Sequence, residues 1–262
     1  MDWSRTKSIF IVIFLLINLF LTWQLLDKKS ANQIAILNES SIQEILNDNN
    51  ISIHVELPEI KPSGLHLVGK KQEWTQAMVD VVPLPADNLS FPEPTRLVAT
   101  LDEPYPISDQ NMGQQLRSFV NTYVLNGSAY QFGAFDQDNR RLPLYQQYEG
   151  FTTYTYEDGQ LVLNFNEKQE IIGYEQSILE FEEHGREHDL MSSLRAIEGL
   201  YTDQLLRMNQ AVTAIEFGYH SLVHQEGAIQ VFAPMWQITV VDEQEGEQNT
   251  YLINAIGGEI IQ

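Results

Sequence analysis

Ile9 to Leu26, IFIVIFLLINLFLTWQLL, is a run of 18 residues without an ionisable side chain, in which only Asn18, Thr22 and Gln24 are clearly polar. Such a run predicts an α-helix in hydrocarbon, because a helix satisfies its own backbone and about 17–25 residues cross the bilayer core. Trp3 lies ahead of the run and Trp23 near its end, 20 residues apart. At ~1.5 Å rise per residue they would sit about 30 Å apart, the separation of two interfacial anchors. The reading is a single-pass signal anchor over 9–26, with 1–8 as a tail before it. A cleaved secretory signal competes with it, but the run exceeds the roughly 7–15 residues of such a signal. The residues just after the run, Asp27-Lys28-Lys29-Ser30, also form no small-residue cleavage site. A lipid anchor after a bacterial signal needs a cysteine, and the chain has none.

The charge divides at the same place. The chain holds 15 Lys+Arg against 36 Asp+Glu, a formal −21. Arg5, Lys7, Lys28 and Lys29 lie within the first 29 residues with only Asp2 and Asp27, leaving 11 bases against 34 acids, or −23, beyond residue 29. A nucleic-acid partner is disfavoured, since binding one requires basic surface that displaces condensed counterions. Two bases precede the apolar run and two come after it, so the positive-inside count is a tie and leaves the orientation open. The absence of cysteine rules out a disulfide framework and Cys-ligated zinc.

The remaining residues, 43% hydrophobic over the whole chain, are enough for a sizeable core. Apolar residues at Ile34, Ile36, Leu37, Ile42, Ile45 and Leu46 have helical spacing and predict a juxtamembrane helix. Ile51, Ile53, Val55 and Leu57 alternate with polar residues and predict a strand, with another around Gly64–Gly69. Eight of the ten prolines lie between Pro58 and Pro106, which predicts an extended, loop-rich stretch with short edge strands. The expected segments are 27–107, then a first α+β unit over 108–183 and a second over 184–262.

Each unit is read as a helix succeeded by strands. Ser108-Asp109 caps a helix to about Leu125, stopped by Asn126-Gly127, with strands after it at Ala129–Phe135, Leu142–Tyr148, Gly159–Asn166 and Ile171–Phe181. His188-Asp189 opens a second helix through about Met208, with strands near Ala211–Tyr219, Ala228–Val241, Thr250–Ala255 and Gly258–Ile261. LVLNFNEKQEII (161–172) and YLINAIGGEII (251–261) each place an apolar strand, an Asn, a turn and Glu-Ile-Ile in order. Short turns predict antiparallel pairing and an α+β class. Two tandem helix-plus-hairpins units are expected; one continuous sheet carrying two helices is the alternative.

Few motifs carry chemistry. His184-Gly185-Arg186-Glu187-His188 satisfies the H-x-x-E-H pattern, in which two His one helical turn apart bind zinc and the Glu is general base. Gly185 is a poor helix former and Asp189 reads as an N-cap, so a polar turn competes with a membrane-tethered zinc hydrolase using His184, Glu187 and His188. His220 and His224 share the spacing at a strand end, where they would not converge. No G-x-S-x-G, G-x-G-x-x-G or P-loop pattern occurs. Asp136-Gln137-Asp138-Asn139 begins like a calcium loop, but Arg141 and Gln147 stand where that loop needs Gly and Glu.

The apolar run keeps one polar stripe. Asn18 and Thr22 are one turn apart on one side of the helix. An Asn amide in hydrocarbon needs a partner, which makes the Asn18/Thr22 face a candidate surface for docking on another transmembrane helix. A tolerated lone polar residue is the alternative.

Several stretches resemble a known family: MDWSRTKSIFIVIFLLINLFLTWQL at the start, YQFGAFDQ (130–137), LYQQYEGF (144–151), LVLNFNE (161–167), IIGYEQ (171–176), PMWQITV (234–240) and YLINAIGGEI (251–260). Together they resemble the YycI (WalI) family, accessory proteins of the WalK/WalR two-component system, over nearly the whole chain and least distinctly over 58–106. The resemblance implies a type II membrane protein with a cytoplasmic N-terminus and an extracytoplasmic α+β domain, neither an enzyme nor a cofactor carrier. It implies a complex with the related membrane protein YycH and the sensor kinase WalK, formed chiefly through transmembrane helices, that adjusts kinase output and cell-wall metabolism. Homo- or hetero-oligomers both stay open. The P-x-W and A-x-x-G-E-I pieces near the C-terminus also resemble PepSY-type modules, small helix-and-hairpin units.

Overall fold

The computed structural model describes residues 7, 13–22, 42–155, 159–221, 229–242 and 246–261. Residues 13–22 and 42–48 are helical. In chain order the strands are β1 (Ser52–Ile53), β2 (Ser63–Lys71), β3 (Leu89–Glu93), β4 (Arg96–Tyr105), β5 (Tyr130–Phe132), β6 (Arg141–Tyr148) and β7 (Phe151–Tyr154). They continue with β8 (Leu161–Phe165), β9 (Ile171–Gln176), β10 (Leu179–Asp189), β11 (Gln210–His220), β12 (Ile229–Asp242), β13 (Gln248–Asn254) and β14 (Ile260–Ile261). Helix α1 (Met112–Tyr123) precedes β5 and helix α2 (Ser193–Thr202) precedes β11. The class is α+β, as expected from the sequence.

Two helix-on-sheet cores form. In the first, Leu116, Phe119 and Val120 on one side of α1 bury against Leu97, Leu144, Leu161, Leu163, Ile171 and Tyr174 of β4, β6, β8 and β9. The Tyr174 hydroxyl donates to the Tyr123 carbonyl at 2.7 Å, so the aromatic that fills the core also satisfies a carbonyl at the end of α1. In the second, Leu194, Ile197 and Leu200 of α2 bury against Val212, Ile215, Trp236, Ile238 and Ile253. Ile42 and Leu46 of the 42–48 helix and Ile51 complete this core. The Trp236 indole N–H donates to the Met191 carbonyl at 3.0 Å, just ahead of α2.

The two cores share one sheet. Its order is β10-β2-β12-β11-β7-β6-β8-β9-β4-β3, with β1 beside β11, β13 beside β12, β14 beside β13 and β5 beside β6. Antiparallel pairing dominates, but β11 runs parallel to both β7 and β1, which short turns alone do not predict. β7 itself has no counterpart among the expected strands. Its parallel ladder, Gly218↔Thr152 to His220↔Tyr154, is where the two halves meet. A buried polar network fixes this seam. Thr153 donates its hydroxyl to the Gln146 carbonyl at 2.8 Å, and the Gln160 amide donates to the Thr153 carbonyl at 3.0 Å. The Gln146 side chain in turn accepts from the Leu179 N–H at 2.7 Å and donates to its carbonyl at 3.1 Å. Thr153 and Gln160 are buried, and their bonds spare the desolvation cost that orphaned polar groups would carry.

Several expected boundaries move. The alternation over 51–57 yields only the two-residue β1; Val55 and Leu57 pack on the second core outside a ladder. The proline-rich stretch contains β4, ten residues long and interior to the sheet. It can do so because Pro104 falls in its register shift between Thr100 and Tyr105, where a missing N–H costs no ladder bond. The segment expected as one strand over 171–181 is two, β9 and β10, and β10 extends through His184–Asp189. Asp189 therefore caps nothing. α2 is capped by Ser192, whose hydroxyl accepts from the Arg195 N–H at 3.4 Å, and it ends at Thr202 rather than near Met208, ahead of left-handed Gln204 (φ 62°). α1 is preceded by a 3-10 turn, Asp109–Asn111, and its N-cap is Asn111.

The local rhyme between 161–172 and 251–261 has a physical basis. Asn166 Oδ1 accepts from the N–H groups of Lys168 and Glu170 at 2.8 and 3.0 Å, turning β8 into β9. Asn254 Oδ1 accepts from Ile256 and Gly257 at 2.9 and 3.4 Å, turning β13 into β14. Both are Asx turns, in which the side chain imitates a backbone acceptor. Each closes with a left-handed residue, Gln169 (φ 61°) and Gly258 (φ 80°).

His220 ends β11 at the seam. It is 7% exposed, its ring stacks on Tyr154 at 4.4 Å, and its Nε2 has no partner among the described residues. Burial lowers its pKa to about 4. The unfolded chain then takes up the proton first, so stability is full above pH about 6.5, falls as pH drops toward about 4, and levels below that. We predict that His220→Phe removes roughly 3 kcal/mol of acid sensitivity across this window, read as urea midpoints at a series of pH values. An unchanged pH profile would count against the buried neutral imidazole.

Candidate functional site

Among the described residues no helix is long and apolar enough to cross a membrane. Ten residues of the 9–26 run are described, 13–22, all helical; the others, with Trp3, Trp23 and the tail, lie outside the described residues. The apolar side chains here face outward on every side: Phe14 is 68% exposed and Leu19 65%. The Asn18 amide donates to the Phe14 carbonyl and the Thr22 hydroxyl to the Asn18 carbonyl, each at 2.8 Å. These bonds back to the preceding turn satisfy part of each polar group. The Asn18 amide has one further N–H and an acceptor oxygen.

The H-x-x-E-H residues are neither on a helix nor in a loop. They lie on β10, paired with β2, where His184 is opposite His66 and His188 opposite Gly64. Three residues separate the two His on β10 while one separates their partners on β2, so a bulge intervenes. Gly185 (φ 93°) supplies the left-handed backbone that the bulge needs. Because directly paired residues share a sheet face, the bulge gathers His66, His184 and His188 on one side of the ribbon. The rings of His66 and His188 meet edge to face, with centroids 6.1 Å apart. Burial, then His188 and His184, lower the His66 pKa from its ordinary value. Glu187, the supposed general base, accepts a 2.5 Å hydrogen bond from Ser63. Among the described residues no group of three or more His, Cys, Asp or Glu is placed to hold a metal ion. The helical presentation that the hydrolase chemistry requires is thus missing. Sequence spacing pointed to the two His of β10, but His66 comes from a distant strand that only register identifies.

His220 is buried in the seam, and His224 lies outside the described residues. The Asp136 carboxylate accepts from Asn139 Nδ2 at 2.7 Å and from the N–H groups of Asp138 and Asn139 at 3.0 and 3.1 Å. These bonds, the Asn139 amide first, hold its pKa below the usual carboxylate range. The turn is closed on its own backbone.

One feature escaped the sequence altogether. A groove of about 780 Å³ opens between the first turn of α1 and the ends of β5, β6 and β8, and most of its wall is apolar. No chemistry in the sequence marks it; the one irregularity there is Gly113 inside an amphipathic helix.

A family described as YycI protein matches residues 31–256. Among solved structures, an uncharacterized protein from Eubacterium rectale is similar at TM-score 0.48 and 9% identity, over 81% of this chain and 91% of that one. YycH from Bacillus subtilis is similar at TM-score 0.36 and 12% identity, over 78% of this chain and 52% of that one, so the chain spans about half of YycH. No curated protein matches.

The histidine face yields a direct check. His188→Ala removes the second cause of the lowered His66 pKa and leaves burial, the first. The His66 value should rise but stay below its ordinary 6.5, as tracked by NMR titration of the imidazole signals. A His66 titration unmoved by the substitution would mean that the two rings do not meet.

Proposed function

Because the chain belongs to the YycI family, with residues 31–256 matched, we propose that it is a membrane-anchored regulator of the sensor histidine kinase WalK that acts together with a YycH-like membrane protein. That match carries the reading. It begins after the apolar run, so the part assigned to the helix rests on the run's own chemistry: 18 residues without a charge and one polar stripe.

In this reading the N-terminus is cytoplasmic, residues 9–26 cross the membrane and the α+β body lies outside. The chain performs no catalysis. The transmembrane helix packs against helices of the kinase complex through Asn18 and Thr22, and the body holds the helix in place and meets the partner ectodomain. A regulator of this kind works by binding one kinase state better than another. A differential of about 1–3 kcal/mol shifts the balance about 5- to 150-fold. The body's −23 beyond residue 29 repels anionic wall polymers and lipid headgroups, which leaves the uncharged helix as the element suited to contact inside the membrane.

Asn18→Leu removes an interhelical hydrogen bond of about 0.6–2 kcal/mol, which weakens association roughly three- to thirtyfold. Co-purification of YycH and WalK with the full-length chain from detergent-solubilised membranes measures it, and undiminished recovery would sink the role of Asn18. Replacing residues 8–26 with an unrelated membrane helix is the broader test. WalR-dependent transcription should change, and an unchanged readout would remove the helix-packing mechanism.

A further inference from the structure

The groove beside α1 has the size of a small-molecule site: about 780 Å³, within the roughly 300–1,000 Å³ usual for such clefts. Its wall is contributed by Met112 and Leu116 of α1, Phe132 of β5, Phe135 beyond it and Phe165 at the end of β8. Met112 and Phe135 are 40% and 41% exposed, so the apolar lining continues out to the mouth instead of closing over. Phe135 is held in place edge-on against Phe165, with centroids 5.3 Å apart. Gly113 keeps the entrance wide: a Cβ added there would meet nothing within 4 Å. The space is open because this helical position lacks a side chain, not because the backbone demands glycine.

The polar side of the groove carries one charge of each sign. Arg140 Nη1 and Glu167 Oε1 are 3.4 Å apart, with side chains 47% and 88% exposed, and both residues line the groove. A purely anionic head would meet Glu167 and the field of a strongly acidic body; a purely cationic head would meet Arg140. A head that carries both charges matches the Arg140–Glu167 ion pair charge for charge and has no net charge for the acidic body to repel. We propose that this groove binds a single-tailed zwitterionic amphiphile of the lysophosphatidylethanolamine type. Its acyl chain lies along Met112, Leu116, Phe132 and Phe135, its phosphate on the Arg140 guanidinium and its ammonium on the Glu167 carboxylate. This site is separate from the Asn18/Thr22 helix and does not depend on the kinase reading.

The test uses the full-length chain in phosphatidylglycerol vesicles and three photoactivatable probes that carry a diazirine in the same alkyl tail: lysophosphatidylethanolamine, the free fatty acid and the alkyl trimethylammonium. After illumination below the micelle concentration, labelled peptides are mapped by mass spectrometry. The zwitterionic probe should label the peptides containing Met112 and Phe135 about two- to fivefold over either comparator, the effect of one exposed ion pair. Labelling of residues 9–26 by all three probes serves as the reference. Gly113→Trp, which fills open space, should reduce groove labelling to background and leave that reference unchanged. Met112→Glu, which places a charge at the mouth, should do the same if the first variant melts early. Equal labelling by the three probes, or labelling that survives both substitutions, would overturn the proposal. So would an unlabelled groove in a chain whose Gly113→Trp variant loses a protein partner, since the groove would then be a protein contact.

Discussion

Three residues of β7 hold the body together. Thr152 to Tyr154 pair in parallel with Gly218 to His220, and this ladder is the backbone link in the strand order between the sheet under α1 and the sheet under α2. So short a ladder gains little from its own backbone bonds. Thr153, Gln146 and Gln160 reinforce it by bonding to one another and to the Leu179 backbone. Aromatic packing backs the network on one side, where Tyr148, Phe151, Phe181 and Phe217 surround Tyr219 and Phe232. Burial raises the Tyr219 pKa to about 12 and lowers that of His220 to about 4, which keeps both groups neutral in this region. The seam is therefore polar in its bonds but carries no charge.

The sequence exposed local structure well and long-range pairing poorly. The cores of α1 and α2 were visible because Leu116, Phe119 and Val120, like Leu194, Ile197 and Leu200, recur at helical spacing. The two Asx turns were visible because an Asn with Glu-Ile-Ile a few residues on occurs twice. Nothing decided between distant segments showed in the same way. β7 is four residues whose alternation is too short to read, and it is a strand because β6 and β11 lie on either side of it. The polar run HGREHD resembles a turn, yet β2 pairs with it and makes it the end of an eleven-residue strand. Tertiary pairing overrides weak local preference.

The candidate sites divide in the same way. Asn18 and Thr22 could be singled out because an uncharged run makes any polar residue conspicuous. The three-histidine face needed the register of β2 against β10 and the bulge at Gly185. The groove needed the arrangement of α1 over three strand ends, and its key position is a glycine, which offers a sequence reader no chemistry at all. Family membership adds what neither pattern nor register can, the cellular context in which such a body and such a helix would work together.

The bulge in β10 also shapes an edge. β10 ends the order of the sheet, and among the described residues it pairs only with β2. A straight eleven-residue edge would be a template on which a second copy could add its own strand. Gly185 interrupts the edge partway along, and Glu180, Glu182, Glu183 and Glu187 give the strand an acidic excess over Arg186, with Lys70 of β2 paired to Glu182. The same backbone detail that gathers the histidines thus also makes this edge a poor template for another strand.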